Sequence, residues 1–307
     1  MLRLVLSRIG QGLVVLWLVA TIVFVLGRAT GSPATLMLPI WASPEEHARL
    51  EHLLGLDQPL LQQYLIFLRN LAGGDFGVSL QSGLSAFDLY LQHLPKTLLL
   101  TAASMTLAVV LSLPLGVLAA LKPGSMVDTA ISALASLGLA MPLFWVAIIF
   151  VQVFSVRLGW FPVGGTEGPS SLVLPAVSLG LYFVAGLTRL IRSAMLEVLS
   201  SDSIAFLRAK GLPEREVIGI HALRNASLAP LTYLGQYTAL LLGGAIVIEL
   251  IFAWPGVGWL TYEAISNRDY PVLQTIVILN AVLIVFVNFF VDVLYGVFDP
   301  RVQHAPA

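Results

Sequence analysis

The sequence predicts an all-α polytopic membrane protein with six transmembrane helices and both termini in the cytoplasm. Three observations carry this expectation: an excess of apolar residues, six long stretches without charge, and an uneven sharing of Lys and Arg between the segments that join them. Of 307 residues, 58% are hydrophobic and only 11% are charged. A soluble domain carries about 25% charged residues. A core of this size cannot hide so much apolar surface, so lipid is the expected solvent. The net charge of −1 gives no basis for a nucleic-acid partner. The chain has no cysteine, which excludes disulfides, thiolate metal sites and thiol nucleophiles.

A charge at the bilayer centre costs about 2.5–3.5 kcal/mol or more, so gaps between charges mark candidate spans. Six gaps reach the length a crossing helix needs: Ile9–Gly27, Thr97–Leu121, Thr129–Val156, Gly168–Thr188, Asn225–Ile248 and Tyr270–Val291. The first is too long for a signal-peptide core and no small-x-small cleavage site follows, so an uncleaved helix is expected. The third contains Met141-Pro142 and is expected to be kinked or tilted. Stretch 29–44 holds Pro33, Pro39 and Pro44 and reads as lying outside the bilayer. With the N-terminus inside, ten basic residues fall in cytoplasmic segments and six on the other side, as the positive-inside rule requires.

These spans divide the chain into an N-terminal transmembrane helix (1–28), an extracytoplasmic segment (29–95), a membrane core (96–298) and a cytoplasmic tail (299–307). Within 29–95, short helices are expected over Glu45–Gly55, over Gln58–Leu71 behind Pro59 and ahead of Gly73-Gly74, and over Ser85–Leu94. This segment reads as a cap on the outer face. Within the core, the cytoplasmic segment Arg189–Arg224 holds six basic and four acidic residues. Ser203–Lys210 reads as a helix closed by Gly211, and Pro213 with Glu214 and Glu216 opens a second. A helix–glycine–helix projecting from the membrane offers a docking surface. A solvated loop that merely sets orientation fits the spacing equally well.

The residues Ala205-Phe206-Leu207-Arg208-Ala209-Lys210-Gly211-Leu212-Pro213-Glu214-Arg215, then His221-Ala222-Leu223-Arg224-Asn225-Ala226 and Pro230, resemble the EAA-type loop of ABC importer permeases. The form is similar to that of the dipeptide, oligopeptide and nickel branch. Leu54 through Leu60, Gly74 through Ser79, Glu249 with Phe252 through Gly258, Arg268 through Val272, and Asp299-Pro300-Arg301 resemble other phrases of that branch, in order along nearly the whole chain. The pattern is that of the "B"-type inner-membrane permease. The acidic-small-small triplet that names the loop is Ala205-Phe206-Leu207 here, a departure at the contacts those side chains make.

The resemblance implies a type I ABC importer transmembrane fold in the bacterial inner membrane. It implies a pore-forming permease subunit, not an enzyme, working with a second homologous permease, two cytoplasmic ATPase subunits and an extracytoplasmic substrate-binding protein. ATP and Mg would sit on the ATPase subunits, and no cofactor or metal on this chain. The loop would be a coupling helix, with Arg208, Ala209, Lys210, Gly211, Glu214 and Arg215 at the docking turn and His221, Arg224 and Asn225 anchoring it to the fifth span. Met141, Gln236, Gly243, Gly244 and Asn280 are polar, small or flexible positions within spans and are candidates for the translocation path. Details such as Gly31-Ser32-Pro33-Ala34 and Met141 through Trp145 lean toward nickel or metal-chelate members, with dipeptides or oligopeptides as the alternative.

Absent motifs agree. There is no G-x-x-x-x-G-K-[ST], so this chain cannot cradle nucleotide phosphates by that route. There is no H-E-x-x-H, and His47 and His52 are five apart, which does not put them on one helical face. The spans carry only neutral polar groups, which counts against an ion-coupled carrier.

Overall fold

The computed structural model describes residues 2–29, 43–53 and 56–298, and every regular element among them is helical. In chain order these are α1 (Leu2–Ala29), α2 (Pro44–Leu53), α3 (Leu60–Ala72), α4 (Ala86–Leu121), α5 (Met126–Ala140) and α6 (Leu143–Phe150), which runs on as a wide π-turn to Arg157. Then follow α7 (Ser170–Leu199), α8 (Asp202–Ala209), α9 (Glu214–Glu216), a second wide turn over Val217–Ala222, α10 (Leu223–Ala226), α11 (Leu228–Gly244), α12 (Ile246–Ile251), α13 (Val257–Ser266) and α14 (Tyr270–Phe298).

Local chemistry sets many of these boundaries. Pro59 precedes α3, and Gly74 behind it takes φ +78°, open to glycine without a Cβ clash. Ser125 caps α5 by accepting from the Asp128 backbone N–H, and the Asp128 carboxylate accepts from Gly124 N at 2.9 Å. This is a reciprocal cap in the pattern Ser-x-x-Asp. Met141 ends α5 at ψ 130°, because the ring of Pro142 disfavours helical backbone in the residue before it.

Four helices are long and apolar enough to cross a bilayer alone among the described residues: Leu6–Arg28, Ala86–Leu121, Ser170–Leu199 and Tyr270–Val291. A fifth crossing is available if α5 and α6 with its wide turn count as one span, although they bend by 100°. The kink or tilt expected at Met141-Pro142 is thus a sharp turn. The expected fifth span, Asn225–Ile248, is not one helix either. Ser227 and Ala245 break it into α10, a 17-residue α11 and α12. Seventeen residues lies at the lower limit of about 17–25 for a crossing. The expected short helix Ser85–Leu94 is corrected too. It is the first part of the 36-residue α4, which continues through Pro95. Proline removes one helical hydrogen bond, but tight packing on both flanks holds the helix. Ala86 and Tyr90 are buried before it, and Leu100 and Ser104 after it.

The chain forms two compact units, one comprising the described residues up to Pro95 and from Gly256 onward, the other Lys96–Pro255. In the first, α1 packs on α14 through glycine. A Cβ on Gly12 would come 2.7 Å from Val285, and one on Gly27 2.7 Å from Gln274. Ala86, Tyr90, Val257, Leu260, Ala264, Val272 and Ile276 form its core. Asp269, almost fully buried, accepts from the Ser79 hydroxyl at 2.5 Å and from Leu80 N at 3.3 Å, tying the 79–80 turn to the start of α14. In the second unit α7 is the hub, packed by α5, α6, α11 and α12. Close backbone approach again uses glycine: a Cβ on Gly116 would meet Ile191 at 2.7 Å, and one on Gly180 the Ser104 carbonyl at 3.0 Å. Glu249, fully buried, accepts from the Thr97 hydroxyl at 2.7 Å. A buried carboxylate needs such partners. Ala253 then takes φ +46°, which lets Trp254 fold back and donate its ring N–H to the Lys96 carbonyl at 2.9 Å.

Candidate functional site

The segment after α7 builds a projecting turn on an apolar base. Ser200 closes α7, and α8 runs to Ala209. Lys210 caps it, and Gly211 takes φ +80°. That left-handed conformation is costly for any residue with a Cβ, which is why glycine closes the helix here as the sequence predicts. Pro213 precedes α9 with its ring fixing φ at −65°. Arg208 and Glu214 face each other across the turn, with Arg208 Nη2 donating to Glu214 Oε1 at 2.6 Å. Both are well exposed. The Arg208 guanidinium, hydrogen-bonded to the carboxylate, holds the Glu214 carboxyl below its ordinary pKa. Lys210 Nζ lies 4.6 Å over the Phe206 ring, and Phe206 itself is 59% exposed.

Inward, Ile204 and Val217 are buried with Ala222 and Ala226 against Leu187, Ile191 and Met195 of α7. The turn therefore presents Phe206, Arg208, Ala209, Lys210, Gly211 and Arg215 outward on a packed floor. His221 is half-buried and Arg224 and Asn225 are exposed. Val217 and Ala222 of the wide turn and Ala226 of α10 are buried in the cluster that holds the segment on α7.

A pairing the charge-gap reading misses lies beside this floor. Arg192 of α7 grips Asp128 of α5 with two hydrogen bonds, Nε to Oδ1 at 2.5 Å and Nη2 to Oδ2 at 2.7 Å. Asp128 is only 4% exposed. The sequence signal was the Ser125-x-x-Asp128 cap, which marks the helix start but not its distant partner. A cavity of about 380 Å3 lies among α4, α5, α6 and α7, with Met141 at its rim. Ser178 and Thr188 line it, and their hydroxyls have no hydrogen-bond partner among the described residues. Gln236 is exposed on α11 of the same unit. Asn280, by contrast, sits in the first unit and accepts from the Tyr90 hydroxyl at 2.9 Å, a helix-to-helix tie. Gly243 and Gly244 end α11, and their surroundings lie outside the described residues, as do Gly31 through Ala34, Leu54-Gly55, Asp299-Pro300-Arg301 and His304.

Long apolar helices, a projecting helix–glycine–helix and an apolar cavity beside a sharply bent helix pair are features of a multi-pass membrane protein. The family described as "Binding-protein-dependent transport system inner membrane component" matches residues 112–304, and its N-terminal companion family matches residues 1–101. The chain belongs to this family. It is 39% identical to the di/tripeptide transport system permease protein DppB of Pseudomonas aeruginosa, over 99% of each chain. It is 40% identical to the oligopeptide transport system permease protein AppB of Bacillus subtilis, over 91% of this chain and 92% of that one. Among solved structures, an inward-facing form of the MetNI methionine ABC transporter aligns with TM-score 0.60 at 20% identity, covering 69% of this chain and 96% of that one. That likeness concerns the fold. The chain is thus the membrane-embedded transport subunit of an ABC importer, an inner-membrane multi-pass protein rather than an enzyme. Permeases of this family work with ATPase subunits and a binding protein.

Proposed function

We propose that this chain forms half of the pore of an importer for small peptides, pairing with a second homologous permease above two ATPase subunits. The observation that carries the substrate class is identity of about 40% to peptide permeases along nearly the full chain. It favours peptides over the nickel or metal-chelate lean of the isolated phrases. The outward turn Arg208–Gly211, with Glu214 and Arg215, docks in an ATPase groove. His221, Arg224 and Asn225 flank that dock. Its floor is close-packed on α7 through Ile204, Val217 and Met195. Close-packed interiors transmit displacement rather than absorb it. ATPase closure therefore moves α7, and with it the walls of the cavity that Met141 borders. Gln236, Gly243 and Gly244 are further candidates for the path in the second unit, and Asn280 is one in the first unit. A binding protein delivers the peptide at the outer face.

Two measurements test this. Proteoliposomes holding the chain with its genomic neighbours should take up a labelled dipeptide on ATP addition and leave nickel outside. Uptake of nickel alone overturns the substrate assignment. Gly211→Pro forces φ from +80° to about −65°. It should insert into the membrane normally yet lose binding-protein-stimulated ATP hydrolysis. Unchanged stimulation in that variant removes the docking role.

A further inference from the structure

In the first unit, a cavity of about 420 Å3 opens between the last turn of α1, α3, the 75–80 loop and the first turns of α14. We propose that it seats the headgroup of a phospholipid, with the phosphate on Arg28 and the hydrogen-bond-donating end of an ethanolamine toward Gln63 and Asp75.

Depth is the first argument. The cavity lies where the crossing stretch Leu6–Arg28 ends and the crossing stretch Tyr270–Val291 begins, which is headgroup level in the leaflet opposite the N-terminus. Unmet polar groups are the second. Arg28 Nε is buried and makes no hydrogen bond among the described residues, while the guanidinium is held 5.3 Å over the Phe24 ring. A buried charged donor calls for an anion. Gln63 is 8% exposed, and its Nε2 donates to the Leu56 and Gln58 carbonyls at 2.8 Å each. Its Oε1 is buried and has no donor among the described residues. Asp75, also on the cavity wall, accepts from Gly77 N at 3.0 Å through Oδ1. The cavity thus offers an arginine that forms no ion pair among the described residues, together with an amide oxygen and a carboxylate that suit a donor. A phosphate followed by an ammonium complements all three. A phosphocholine does not, because its methylated nitrogen donates no hydrogen bond.

Surroundings are the third argument. The remaining wall is apolar, with Phe24, Ile66, Phe67 and Tyr270. Ile66, on the wall itself, is 42% exposed, and the exposed Val277 lies beside the lining residues Gln274 and Ile278 on α14, an apolar surface along which acyl chains can lie. A soluble anion has no tail to use it. The proposal rests on the membrane reading and is independent of the peptide assignment.

The test uses the intact transporter complex, delipidated and titrated with dioleoyl phosphatidylethanolamine under native mass spectrometry. The tightest lipid adduct should weaken roughly tenfold in Arg28→Gln, the loss of a charge-assisted contact. It should weaken as much in Ile66→Trp, which fills the cavity and leaves Arg28 intact. Arg157→Gln, at an exposed arginine, should leave it unchanged. Wild-type retention in both cavity variants overturns the proposal. So does phosphatidylcholine bound as tightly as phosphatidylethanolamine, and so does glycerophosphoethanolamine bound as tightly as the lipid.

Discussion

At the scale of single residues, the Arg208–Glu214 pair bridges the projecting turn between α8 and α9. Arg208 lowers the Glu214 pKa by hydrogen-bonding its carboxylate. A lowered carboxylate pKa stabilises the fold above the unfolded value of about 4.3 and loses that contribution as pH falls through the folded value. Stimulated ATPase activity should therefore show no step from this pair between pH 8 and 5, and a weakening only in acid. Glu214→Gln should remove the acid-side step in a pH profile of thermal unfolding of the complex. Because both groups are exposed, the effect is small. Gly164 is a steric counterpart. A Cβ there would collide with the Phe252 carbonyl, a backbone atom that cannot rotate away. Gly164→Ala should cost about 1–3 kcal/mol, read as a lower melting temperature of the purified complex. Arg208 and Glu214 stand out in the sequence although their contact does not, and Gly164 does not stand out at all. Gly164 is one glycine among 26, and only the loop folded over α12 makes it necessary.

At the scale of elements, the helix–glycine–helix segment was the most legible part of the chain. Gly211 and Pro213 are conformational instructions that act locally, so the helix, the left-handed residue and the restart follow from them. The wide turn over Val217–Ala222 was not legible, because it answers to burial of Val217 and Ala222 on α7 and not to any residue's own preference. Ile204 tests that floor. Ile204→Ala removes a side chain that is 1% exposed and should cost about 2–5 kcal/mol. Amide hydrogen exchange over 202–212 should speed up, and coupling of ATPase to transport should fall while membrane insertion persists. Exchange unchanged from wild type would mean that the turn is held by something other than this packing. Pro95 shows the opposite failure. Read locally it breaks a helix; in place, burial on both flanks carries α4 straight through it.

At the scale of the whole molecule, the sequence by itself determined that this chain lives in a membrane and where most of its crossings lie. Transfer of charge into lipid is costly enough that runs of uncharged residues reveal crossings without any knowledge of packing. The sequence also located the helix–glycine–helix turn, because glycine and proline there act on their own backbone, and the phrases in order along the chain pointed to the importer permeases. Tertiary structure alone decided which charges go inside. Asp128 and Glu249 stood at the edges of charge-free gaps and read as boundaries, yet Arg192 and Thr97 reach them and make burial tolerable. It decided that Met141-Pro142 turns the chain by 100° and that the stretch before Glu249 is three helices rather than one. And it decided that Arg28 and Gln63, 35 residues apart in the chain, share one cavity. Each of these depends on partners distant in sequence, and a local reading of charge or propensity contains no information about who those partners are.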